Sequence, residues 1–408
     1  MKEKLAIYRN KVLITGIQSI ASGSNFLLVI LLTRHYGLEI FGIYSMLWIV
    51  QIFSMNLHQS AVLSPLMTLW PKNAGKDYWN KFFIYNLFAA FLLAIGAFIF
   101  THYAEVVSSK WSISAYSLQM FLIVFALTLH LFNRRSMINL QKYVAAFLAD
   151  FFVYIPLLFI ILFSHPTLSH LLYLQVLAIW SGVFIGLIAL RSRIHLKKTG
   201  KTFLQEVSKF SGWLILTSTL QWFSGNFFLI AVGSIIGPSG MGIIRMGQST
   251  MGVFSVIFLA MENRVPFSAA KILSMEGKNA FKKYMFDLLK KGGALILAGV
   301  GLVAAGSEFL ISKLYGQAYE NYYWVLILFA LLQLFVFISS ITQISLRTLE
   351  QTRLIFFAYV LTSLTSVALA FPMVRYFGIP GAIAGLFLTQ IIAIVWYLLN
   401  LSKKWKNI

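Results

Sequence analysis

Two stretches, SGSNFLLVILLTRHYGLEIFGIYSM at 22–46 and FSGNFFLIAVGSIIGPSGMGIIRM at 223–246, present the same features in the same order, one in each half of the chain. Each has small residues and an Asn-Phe pair (Asn25-Phe26, Asn226-Phe227), then an apolar run, then a Gly-x4-Gly element (Gly37/Gly42, Gly237/Gly242). YFGIPGAIAG at 376–385 echoes the element a third time. Apolar runs on both sides of a glycine pair read as antiparallel helices joined by a tight turn, since glycine takes positive φ without a side-chain penalty.

The same kind of apolar run recurs along the whole sequence. Hydrophobic residues make up 59% of the 408 and charged residues only 11%, against about a quarter in soluble domains. Mean hydropathy is +0.80. A water-soluble fold of this length has too little interior for so much apolar surface, so the bilayer is the solvent that matters. Spans are expected at 11–33, 41–62, 82–103, 115–133, 145–164, 171–190, 211–236, 243–264, 286–306, 322–345, 355–374 and 382–401, twelve in all. The first lacks a small-residue cleavage signal and reads as a retained helix.

The net charge of +21 is informative through its placement. With a cytoplasmic N-terminus, 28 of the 33 Lys and Arg fall on the cytoplasmic side; only Arg34, Lys110, Lys313 and Arg375 fall outside, and Arg245 lies within a span. This positive-inside asymmetry puts both termini in the cytoplasm and explains the charge by many short loops facing anionic lipid, with no nucleic-acid partner. Cysteine is absent, which excludes disulfides and thiol chemistry. Between Pro266 and Lys291, Phe267, Leu273, Phe281, Met285 and Leu288 alternate with lysines, and both an amphipathic helix on the membrane surface and a solvated loop fit that pattern.

Because six spans return the chain to its starting side, a six-span repeat keeps its orientation. The expected fold is therefore an all-α integral membrane protein of two six-helix bundles, 1–205 and 206–408, related by an axis along the membrane normal. Transporters built this way hold substrate between their halves.

Polar groups in hydrocarbon are costly unless they face protein or water, so polar stripes mark where a cavity runs. The first span carries Thr15, Gln18, Ser22 and Asn25 on one face; the second carries Gln51, Ser54 and His58. The seventh carries Ser218, Gln221, Ser224 and Asn226, and the eighth Arg245, Gln248, Ser249 and Ser255. For any single hydroxyl, hydrogen bonding between packed helices is the favoured reading. A guanidinium inside a span costs about 3 kcal/mol or more, which sets Arg245 apart either as a phosphate-binding fork or as a side chain snorkelling to the interface. His58, Arg134, Arg135, Glu262 and Arg264 stand toward the cytoplasmic side, and Asp150 and Glu262 are the carboxylates open to ion coupling or to a neutralising salt bridge. His165 and His170 in SHPTLSH lack a third ligand, so no metal is expected.

LLTRHYGLEIFGIYSM after a polar-spotted first span resembles the opening of the Wzx-like polysaccharide flippases of the multidrug/oligosaccharidyl-lipid/polysaccharide (MOP) exporter superfamily. The likeness covers the whole chain in length and span count, and its motif covers the first two spans and their counterparts. It implies a V-shaped, MATE-like pair of bundles in the bacterial inner membrane. By alternating access, these move undecaprenyl-diphosphate-linked oligosaccharide repeat units to the periplasmic leaflet for O-antigen, capsule or exopolysaccharide assembly, alongside a polymerase and a chain-length regulator. It implies no cofactor and no covalent chemistry, and places Gln18, Asn25, Gln51, His58, Gln221, Asn226, Arg245, Gln248, Glu262 and Arg264 around a central cavity. An ion-coupled small-molecule antiporter of the superfamily is the main alternative. Such antiporters carry a carboxylate in the first-half cavity, and the first span here has none, which leaves Asp150. Lipid II flippases show several arginines in the first two spans, absent here. A membrane polymerase needs catalytic carboxylates on a substantial loop, whereas Asp and Glu total 12 and every loop is short.

Overall fold

Residues 2–73, 76–195 and 200–406 are described by the computed structural model, without the side chains of 2–12, 14, 18, 76 and 404–406. The Gln18 side chain, Lys197, Lys198 and most basic side chains of the two tails thus lie outside the described residues. In chain order the α-helices are α1 (Lys2–His58), α2 (Ser64–Leu69), α3 (Lys76–His102), α4 (Ala104–Val107), α5 (Ser117–Asn139), α6 (Tyr143–Ser164) and α7 (Leu168–Leu190). They continue with α8 (Lys201–Ile235), α9 (Pro238–Thr250), α10 (Gly252–Met275), α11 (Gly277–Ala305), α12 (Ser307–Leu314), α13 (Tyr323–Thr348) and α14 (Thr352–Lys406).

Among the described residues, ten helical stretches are long and apolar enough to cross a bilayer. Two of them, Thr15–Leu69 with 55 residues and Thr352–Lys403 with 52, are more than twice the roughly 20 residues a span needs. Both fold back at one glycine: Gly37 (φ 71°, ψ −176°) inside α1 and Gly378 (φ 63°, ψ −139°) inside α14. Counted as pairs of arms, they bring the ten stretches to the twelve expected spans. Gly237 (φ 100°, ψ −162°) performs the same turn between α8 and α9, with Pro238 opening the next helix. All three repeats of the sequence element therefore place glycine in a region that L side chains essentially never occupy.

Two expectations are corrected. The eighth span, expected as one helix over 243–264, is broken: α9 stops at Thr250, and α10 begins at Gly252 after the Met251 joint. Gly247 and Gly252 flank the joint, and the Thr250 hydroxyl bonds back to the Met246 carbonyl at 2.9 Å, which loosens the backbone ladder there. The 266–291 segment is neither a loop nor a separate surface helix. α10 continues through Pro266 to Met275, the chain reverses at Glu276 and Gly277 (φ 83°), and α11 returns. Within the segment Ala269, Phe281 and Met285 are buried and pack inward, while Phe267 stays 77% exposed.

The chain divides into two units, Met1–Thr219 and Leu220–Ile408, with the division inside α8. In the first, α5 lies against α3 and α7, and α6 against α7 and α1. The end that carries the C-terminus of α5 and the start of α3 is a large apolar cluster around Trp79, Phe82, Phe132 and Phe203, in which the Trp79 indole donates to Ser136 Oγ at 3.0 Å. In the second, α13 packs on α11 and α14.

Candidate functional site

The first unit holds a cavity of about 200 Å³ whose walls come from helix faces of regular spacing. Ala21, Asn25 and Leu28 face it from the first arm of α1, and Tyr44, Trp48, Gln51, Ile52 and Met55 from the second. Leu127 of α5, Val153, Tyr154 and Leu157 of α6, and Gln175 and Ile179 of α7 complete it. These residues recur three or four apart on each helix, which is what one helical face requires. Among the described residues the lining contains amides, aromatic rings and aliphatic side chains, and no charge.

One turn along the same three helices, toward the C-terminal end of α5, stands a buried charge cluster. His130 follows Leu127 by three residues, Asp150 precedes Tyr154 by four, and Gly182 follows Ile179 by three. Asp150, fully buried, accepts from Arg134 Nε at 2.7 Å and from His130 Nε2 at 3.1 Å. With the proton on Nε2, His130 donates to Asp150, and its Nδ1 is buried with no partner. Gly182 makes the approach of α7 possible: a Cβ there would lie 2.5 Å from Val153 Cγ2 and 2.8 Å from His130 Nδ1. Of the two readings left open for Asp150, the geometry supplies the neutralising salt bridge. Breaking such a pair strands a charge, so the cluster also ties α5 to α6.

The second unit has its own cavity, of about 320 Å³, lined by Gly225, Gln248, Ser255, Gln333, Thr389 and Gln390 with Met251, Gly252, Phe258, Phe329, Leu332 and Leu386. It too is amide-rich and, among the described residues, uncharged.

Asn25 and Gln51 thus share one cavity, and Gln248 lines another. His58 lies elsewhere, fully buried, with Nε2 2.7 Å from Asn86 Oδ1. Asn226 donates to the Trp222 carbonyl at 3.0 Å, and Gln221 is exposed. Arg245 is 7% exposed on α9, where its charge acts on Tyr315, whose hydroxyl is 2.7 Å from Thr250 Oγ1. Glu262 and Arg264 are exposed on the middle turns of α10, and the Glu262 charge reaches Tyr359. Sequence reasoning did not single out His130, Tyr44, Tyr154, Gln175, Gln333 or Gln390. The three glutamines were detectable as lone amides inside apolar spans (YLQVL, LLQLF, LTQII). Among the described residues no three His, Cys, Asp or Glu side chains gather as a metal would need.

No family model and no curated protein sequence matches the chain. Solved structures do. An inward-facing multidrug-resistance MATE family transporter of the MOP superfamily superposes with a TM-score of 0.77 at 11% identity, over 95% of this chain and 96% of that one. The lipid II flippase MurJ, in an inward closed conformation, gives 0.66 at 13%, over 98% and 87%. A MOP-superfamily transporter from Pyrococcus furiosus, described as having a binding pocket of reverse polarity, gives 0.61 at 11%, over 97% and 95%. At these identities the likeness establishes the fold, and the fold is the one these membrane transporters share.

Proposed function

We propose that this chain is a flippase of the bacterial inner membrane that carries an undecaprenyl-diphosphate-linked oligosaccharide repeat unit from the cytoplasmic to the periplasmic leaflet for cell-surface polysaccharide assembly. The observation that carries this reading is the chemistry of the two cavities, lined in both units by amides, hydroxyls and aromatic rings without a charge. An amide offers a donor and an acceptor, which suits the hydroxyls of a glycan, and an aromatic face suits the apolar side of a sugar ring. A cationic drug would enter these cavities with no counter-charge and pay its desolvation unopposed. A fold shared with a lipid II flippase adds support for a lipid-linked cargo.

The antiporter reading has the MATE likeness in its favour. It needs a carboxylate able to exchange an ion, and Asp150 is already engaged by Arg134 and His130. Under the flippase reading Asp150 is a fixed counter-charge, and Glu262, exposed on α10, is the carboxylate through which a proton or sodium ion would couple.

Deleting the gene should make the complete lipid-linked unit accumulate on the cytoplasmic leaflet, as judged by protection from an external glycan-oxidising reagent. Accumulation of a translocated but unpolymerised unit would indicate a polymerase instead. Complementation by Glu262→Gln should restore less export and remove its dependence on the ion gradient; unchanged dependence takes Glu262 out of the coupling step.

A further inference from the structure

The two best-buried amides of the first cavity are poorly satisfied. Gln51 is 4% exposed, and its Nε2 has the Met120 thioether as acceptor at 3.9 Å, a weak partner. Gln175 Oε1 is buried with no partner at all. Leaving a buried polar group unpaired costs free energy that a ligand's hydroxyl would recover. Both amides line the same cavity, one from α1 and one from α7, with Asn25 beside them. Trp48, Tyr44 and Tyr154 supply flat apolar walls. One turn below, Arg134 cancels the charge of Asp150, so the floor of the cavity presents no net attraction to a cation or an anion.

From this we infer that the cavity of the first unit is a subsite for a single neutral sugar ring, read by Gln175 and Gln51, and that it excludes the diphosphate of the cargo. The inference rests on the flippase reading and orients the cargo within it. A donor–acceptor pair on each glutamine meets vicinal hydroxyls, and the ring's apolar face lies against Trp48. A diphosphate would find no cation in the lining and would lose its hydration without compensation. The anionic linkage therefore stays outside this cavity while the glycan end occupies it.

Saturation-transfer difference NMR on the full chain in lipid nanodiscs tests this, with free glucose, galactose and N-acetylglucosamine as probes. At least one should receive saturation at its ring protons. The signal should fall several-fold in Gln175→Leu and in Gln51→Leu and be unaffected by excess inorganic pyrophosphate. Transfer to none of the sugars, transfer unchanged in both variants, or displacement by pyrophosphate or tetraphenylphosphonium each overturns the inference. If a leucine variant is not monodisperse, Gln175→Met keeps the side-chain length and replaces it. Failure here is separable from failure of the flippase reading. Cytoplasmic accumulation on deletion, with a sugar signal indifferent to both glutamines, leaves the flippase and removes the subsite. A glutamine-dependent signal without accumulation does the reverse.

Discussion

Asp150 shows how much one residue's meaning depends on its neighbours. In sequence it is a carboxylate two turns into an apolar helix, where a neutralising salt bridge or interface exposure is favoured over ion exchange. In the fold its two oxygens are taken by side chains 20 and 16 residues earlier, on α5. Removing one partner of a buried pair costs about 3–5 kcal/mol; because Arg134 keeps 17% exposure, the lower end applies. Asp150→Asn is accordingly expected to lower stability by about 3 kcal/mol, read as a drop in melting temperature of the purified protein, and Asp150→Asn/Arg134→Gln to recover more than half of it. A double variant no more stable than Asp150→Asn would mean that the ion pair is not what joins α5 to α6. Gly182 belongs to the same account, since a methyl there would collide with Val153 and His130.

Among the elements, the joint beneath the second arm of α1 differs from the regular helices around it. Residues Gln59–Leu63 form a π-helical turn, a widened geometry that is rare and often sits where a helix must change shape. The turn is held from α8: Ser211 Oγ donates to the Ala61 carbonyl at 3.1 Å, and the Ser60 and Ser218 hydroxyl oxygens are 2.7 Å apart. The chain contains no cysteine, so a disulfide engineered here is unambiguous. Ser60→Cys/Ser218→Cys should cross-link on oxidation after small adjustments. If the π turn relaxes during transport, the oxidised protein should lose most of its export and regain it on reduction. Full export by the cross-linked form would show that the turn and α8 move as one piece. The glycine turns are set by backbone conformation instead: Gly37, Gly237 and Gly378 lie at positive φ, and each marks where one helix ends and its successor starts.

For the whole molecule, sidedness is the property most open to direct test. Single cysteines at Lys110, Lys313 and Lys282, all exposed, should divide by side in spheroplasts. A membrane-impermeant maleimide should label the first two directly and the third only after permeabilisation; direct labelling of Lys282→Cys would reverse the topology. Such a division follows from local chain properties, and so do most features legible in the sequence. Hydropathy set the spans, because each helix satisfies its own backbone in lipid whatever packs beside it. Lysine placement set the expected sidedness, and the glycines set the turns, because φ is a property of one residue. The eighth span and the 266–291 segment escaped that logic, since a break beside paired glycines and a hairpin closed by buried Phe281 and Met285 depend on packing. The candidate site was legible only in part for the same reason. Asn25, Gln51 and Gln248 stood out as polar residues on apolar faces. That Gln175 lines one cavity with the first two, or that His130 and Arg134 meet Asp150, depends on the rotation and register of helices far apart in sequence. Side-chain volume at the crossings sets those, with Gly182 the clearest instance. By itself the sequence determined how many apolar, span-length segments this chain has and where its glycine turns lie. Only the tertiary structure decided which polar groups share a cavity and which cancel one another, because interhelical contact is a property of pairs of surfaces and is not written in either one alone.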